Sequence, residues 1–136
     1  SEVAIYKGNV PREFQPNSYA QDLAECQRYG FDVFGNSTLT NSHGAFGYVS
    51  STTSVRLHVT PPVPLRTGSV TVTPDGSMNC GGVTVQTVTA IAFNSSISGP
   101  LGIGLDATIA GGTLGEFKFL RKNASASATV FISDRL

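Results

Sequence analysis

"LGIGLDATI", residues 101–109, decides the fold class. Leu101, Ile103, Leu105, Ala107 and Ile109 share one parity and Gly102, Gly104, Asp106 and Thr108 share the other. A period of two belongs to an extended strand, whose successive side chains leave opposite faces, whereas a helix repeats its apolar positions at three and four. Residues 54–60, "SVRLHVT", repeat the pattern: Val55, Leu57 and Val59 on one face, Arg56, His58 and Thr60 on the other.

Working outward, "FDVF" (31–34), "AFGYVS" (45–50), "GSVTVTP" (68–74), "GVTVQTVTAIAF" (82–93), "EFKFLR" (116–121) and "ATVFISD" (128–134) complete a set of about eight short strand segments separated by Gly, Pro, Asn and Ser. That arrangement predicts an all-β sandwich or barrel. In 82–93 a second apolar set, Val88, Ala90 and Ala92, falls on the even positions, so this segment is either buried on both faces or bulged. The three prolines of "TPPVPLR" (60–66) remove ladder donors and make that stretch a connection or an edge. Asp75-Gly76 and Cys80-Gly81-Gly82 mark a hairpin or a long loop.

One segment follows the other period. In "NSYAQDLAECQRYG" (17–30), Tyr19, Leu23 and Cys26 recur at spacings of four and three. Ser18 and Gln21 form an S-x-x-Q capping box, and Gly30 sits where a left-handed C-terminal residue belongs. The spacing predicts a helix over 18–29 that buries Leu23 and Cys26 against the sheet.

The chain has 136 residues, the size of one ordinary domain, with nine basic and nine acidic side chains and 13% charged residues. Such a surface cannot neutralise a row of phosphates, so no nucleic-acid partner is expected. No apolar run approaches the roughly 18 residues that cross a bilayer, and no membrane insertion is expected. Residues 1–16 read as an N-terminal strand and a Pro-flanked linker, "VPREFQP", to an upstream module. Two cysteines, Cys26 and Cys80, form no metal-binding spacing; they are two unpaired thiols, one of them packed as a small apolar group, or a single bridge.

Candidate chemistry is sparse. Asp22 and Glu25 are neighbours on a solvated helix face, where nothing tunes a pKa. His43 and His58 have no G-x-S-x-G context and no acidic or Cys neighbour at ligand spacing. "GPLGIGLD" (99–106) lacks both phosphate-loop patterns, so its glycines are turn and close-packing residues. Neither catalysis nor a metal, nucleotide or redox cofactor is expected.

Residues 11–30, "PREFQPNSYAQDLAECQRYG", resemble the C-terminal regions of tail fibres and tail spikes of tailed bacteriophages: an aromatic-x-Pro segment, a short helix reading Leu-Ala-x-Cys-Gln-Arg-Tyr, then an all-β domain. The matching positions are Phe14, Pro16, Leu23, Ala24, Cys26, Gln27, Arg28 and Tyr29. "PPVPLRTGSVTVT" (61–73) is similar to that family's Pro-containing segment before a strand, and "ATVFISDRL" (128–136) to its terminal strand. The chain departs from the pattern at Gly30, where many members carry a second aromatic, and in the small, Gly-rich stretch 99–115.

The resemblance implies a jelly-roll-like antiparallel β-sandwich over 17–136, preceded by its one helix. It also implies a homotrimer at the tip of a virion fibre, facing a bacterial surface glycan or protein, with an upstream fibre segment in the same chain. The alternative is a trimerisation or capping domain with no ligand of its own. For a glycan, aromatic faces and planar hydrogen-bonding groups are the useful side chains, and His43, Tyr48, Arg56 and Asn79 are the loop or outward-facing residues of that kind.

Overall fold

Ser18 starts the only helix of the described residues by the capping chemistry its sequence requires. In the computed structural model, which describes residues 18–35, 42–65, 70–99, 101–123 and 128–134, its Oγ accepts from the Gln21 amide at 3.4 Å and the Gln21 Oε1 accepts from the Ser18 amide at 2.9 Å. The expected linker, 1–16, lies outside the described residues. Helix α1 covers Tyr19–Gln27 and closes with the Arg28 amide on the Ala24 carbonyl.

The packing half of the helix expectation fails. No residue of α1 is buried: Leu23 is 42% exposed and Cys26 is also exposed. Phe31 and Phe34, just after the helix, fill the core at this end, and α1 stands outside them. Gly30 is not left-handed either. It opens strand β1 (Gly30–Asp32), where an added Cβ would lie 2.8 Å from the Phe131 ring and 2.9 Å from the Ile132 carbonyl oxygen, so a close approach and not a helix stop requires it.

The rest is β, in two antiparallel sheets. The strands are β2 (His43–Ser51), β3 (Ser54–Val59), β4 (Val70–Asp75), β5 (Met78–Gly81), β6 (Gln86–Thr87), β7 (Ala90–Gly99), β8 (Gly102–Thr108), β9 (Phe117–Lys122) and β10 (Thr129–Asp134). The smaller sheet runs β1-β10-β4 and the larger β6-β5-β9-β2-β3-β8-β7. The protein is therefore an all-β sandwich preceded by one short helix. The chain passes from one sheet to the other at Gly76, which takes a φ of 77° with Ala128 packed behind it. The inward parities of both sheets meet in a single core containing Val49, Val55, Leu57, Ile103, Leu105, Leu120, Val130 and Ile132.

Residues 82–93 are neither a doubly buried strand nor a simple bulge. Gln86 and Thr87 pair with β5, and the Val88 amide continues that pairing on the Met78 carbonyl at 3.0 Å. The next amide, Thr89, bonds instead to the Thr108 carbonyl at 2.9 Å, and Ala90 onward pairs with β8. The two outermost strands of the larger sheet are thus consecutive parts of one extended run that changes partner between Val88 and Thr89. The sheet curls until its own chain joins its first and last strands. This answers the mixed apolar parity: Ile91 is buried, Val88 half-buried, and Ala90 and Ala92 are exposed.

Candidate functional site

Strands β2 and β3 carry the candidate site on their outward parity. Cross-strand register places Phe46 opposite His58 and Tyr48 opposite Arg56. The same rows continue outward: Tyr48 faces Phe117 and Phe46 faces Phe119 on β9, while Arg56 faces Asp106 and His58 faces Gly104 on β8. The Phe46 and Phe117 rings stack, centroids 6.3 Å apart and planes 18° from parallel.

Two cavities flank these pairs. A cleft of about 820 Å³ lies beside Phe46 and His58, walled by Leu23, Cys26, Gly30 and Phe131. A second, of about 530 Å³, lies beside Tyr48 and Arg56, with Ser50, Ser51, Ser54 and Asp106 around it. Phe46 and Tyr48 are two residues apart on one strand face, roughly 7 Å, so the two cavities, whose linings share no residue, open beside neighbouring outward positions of β2.

Two glycines of β8 pack closely beside this row. A Cβ on Gly102 would run into the His58 ring and one on Gly104 into Ile97, so both are close-packing positions. A bulge between His43 and Ala45 turns His43 to the outer face, where its ring meets Phe119 edge-on at 4.5 Å and 87°.

All four expected residues lie on the outward side of the larger sheet, on strands and not on loops. Tyr48 and Arg56 are brought together. His43 and Asn79 fall elsewhere, both in register with Arg121, and Asn79 is only 8% exposed. Its Oδ1 is buried with no hydrogen-bond partner among the described residues, as are Arg121 Nε and Asp106 Oδ1. Phe46, Phe117, Phe131 and Asp106 were not singled out from the sequence. Their signal was available as parity, Phe46 with Tyr48 and Asp106 with the glycines, but the register that aligns them was not.

The inward parity holds two buried lysines. Lys118 Nζ donates to Glu116 Oε1 at 2.8 Å, Thr84 O at 2.6 Å and Thr84 Oγ1 at 2.9 Å. The Lys118 hydrogen bond, with that from the Thr84 amide, holds the Glu116 carboxyl below its ordinary range. Lys122 Nζ lies 5.4 Å from the centroid of the Phe34 ring. Burial pushes the Cys80 thiol up to about 11, against a smaller opposing pull from Lys118. Cys80 and Cys26 are both free, so no bridge joins them.

Among the described residues no group of three or more His, Cys, Asp or Glu side chains could hold a metal ion, and no helix is long and apolar enough to cross a membrane. No protein-family model, curated protein or solved structure matches the chain.

Proposed function

We propose that this protein is the C-terminal domain of a phage tail fibre or spike, which recognises a bacterial surface glycan without catalysis. The observation that carries this reading is the track on the outer face of β2 and β3, where two cavities flank the pairs Phe46–His58 and Tyr48–Arg56. Aromatic rings offer apolar faces to pyranose C–H groups, and the guanidinium, imidazole and hydroxyls offer planar or adaptable hydrogen bonds to sugar oxygens. A shallow track of successive positions suits a polymer better than a compact metabolite. The resemblance of residues 11–30 supplies the fibre context, a homotrimer on an upstream segment of the same chain, acting outside the host on the virion.

The test is adsorption of the purified chain to host cells and to their extracted surface polysaccharide. Tyr48→Ala and Arg56→Ala should each weaken binding by about tenfold or more while leaving the fold unchanged. Undiminished binding by both variants would remove the track from recognition.

A second reading, a trimerisation or capping domain, is favoured by one feature. Loops 82–85 and 113–116 meet through Thr84 and Glu116, and around that contact Val83 is 92% and Leu114 71% exposed, with Val85 and Phe117 also exposed. Apolar side chains gathered at one end of the sheet suit burial against other copies.

A further inference from the structure

We infer that the Tyr48–Arg56 cavity is a subsite for a carboxylate-bearing sugar, so that the polymer lying on this face contains uronic-acid or comparable acidic residues. The inference rests on the glycan reading above and names the chemical class of its ligand. Arg56 is exposed and its side chain makes no hydrogen bond or ion pair within the described residues, although it stands between Tyr48 and Asp106 in the cross-strand row. The neighbouring acid, which also lines this cavity, is engaged through one oxygen: Asp106 Oδ2 accepts from Asn94 Nδ2 at 2.8 Å, while its Oδ1 is buried without a partner among the described residues. A free guanidinium presents a planar fork of donors that matches a carboxylate with two parallel hydrogen bonds.

The surroundings fit a sugar carrying that carboxylate. Tyr48 contributes a half-exposed ring beside the guanidinium, and Ser50, Ser51 and Ser54 place hydroxyls around a cavity of about 530 Å³. This volume falls within the range of small-ligand sites, about 300–1,000 Å³. The charge of the face points the same way. Along the larger sheet the outward positions hold Arg56 and Arg121 against Asp106 alone, while Lys118 and Lys122 are turned inward and buried. Arg56 is the exposed cation of the two, Arg121 being half-buried, and such sparse charge matches a polymer with intermittent carboxylates. A nucleic acid, with a phosphate at every residue, needs a row of cations, and inward-turned lysines cannot supply it.

NMR titration of the whole chain tests this by following the Arg56 Nε–Hε and Tyr48 ring signals. Glucuronate and galacturonate are the acidic probes, methyl glucoside the neutral one, inorganic sulfate the plain anion and oligo(dT) the nucleic acid. The uronates should move both signals and bind at least about tenfold more tightly than methyl glucoside. Arg56→Gln should abolish that preference, and Arg56→Lys should restore part of it. Equal affinity for acidic and neutral sugars, an equal response to sulfate, or tighter binding of oligo(dT) at physiological salt would each overturn the inference. Chemical reduction of the carboxyls in host polysaccharide separates the two levels. Binding that survives reduction unchanged leaves glycan recognition standing and this inference refuted, whereas no binding of either form refutes both.

Discussion

Cys80 and Cys26 are chemically alike in the sequence and opposite in the fold. Cys80 is fully buried and its thiol is pushed up to about 11, so at neutral pH it holds no thiolate to react, while Cys26 lies open beside the larger cleft. A thiol reagent should therefore label one cysteine of the native protein at once and the second only on unfolding. Because the folded value lies above the ordinary 9.0, the stability this difference contributes is complete below pH 9 and lost as pH rises towards about 11. Glu116 has the opposite sign. Its carboxyl is held below the ordinary 4.5, so its contribution is present above that pH and lost as the pH falls through its folded value. Glu116→Gln should lower stability at neutral pH, because Lys118 stays buried without its counter-charge, and should flatten the acid limb of a denaturation series. Neither residue announced its role in the sequence: Lys118 and Lys122 sit at inward positions of β9, where alternation alone would place apolar side chains.

Helix α1 shows how a correct local reading can mislead about packing. The capping box and the apolar stripe are local signals and they specify a helix, but whether a stripe is covered depends on what else reaches the core. Phe31 and Phe34 arrive there first. Leu23→Ala should consequently cost no more than about 0.5 kcal/mol, the range of surface substitutions, whereas Leu57→Ala on β3 should cost about 2–5 kcal/mol. Urea unfolding of the two variants beside the parent chain checks both figures. Among the strands, alternation in 54–60 and 103–109 identified the inward residues correctly, because a half-buried strand carries its orientation in its own sequence, whereas Leu101, which shares that parity but precedes β8, is 70% exposed. The division of 82–93 was not legible, since the exchange of β5 for β8 is a contact between residues far apart in the chain. The same holds for the site: Tyr48 and Arg56 were each visible as outward groups, and only the ladder between β2 and β3 shows them as a pair.

For the molecule as a whole, association is the property by which the proposed fibre reading is tested. A homotrimer is the expected working unit, with an interface of more than about 1,000 Å² and an apolar centre. Light scattering on the purified chain should give three times the monomer mass, and Val83→Asp with Val85→Asp should return it to monomer while the strand signature persists. A clean monomer at micromolar concentration would defeat the trimer and weaken the fibre assignment. Any attachment to an upstream segment would also pull on the start of the chain, and the partner exchange at Val88 and Thr89 determines how that load is shared. The outermost strands of the seven-stranded sheet are joined to each other through Val88 and Thr89, and α1 and β1 lie outside that sheet. Beyond α1, the described backbone ladder that meets the pull first is the three-residue pairing of β1 with β10. Tension applied through the N-terminal end would peel the helix and β1 first, as a short yielding leader, and would reach the larger sheet at β2 only after that leader had paid out. The surface carrying Tyr48 and Arg56 would keep its shape while the tether gives.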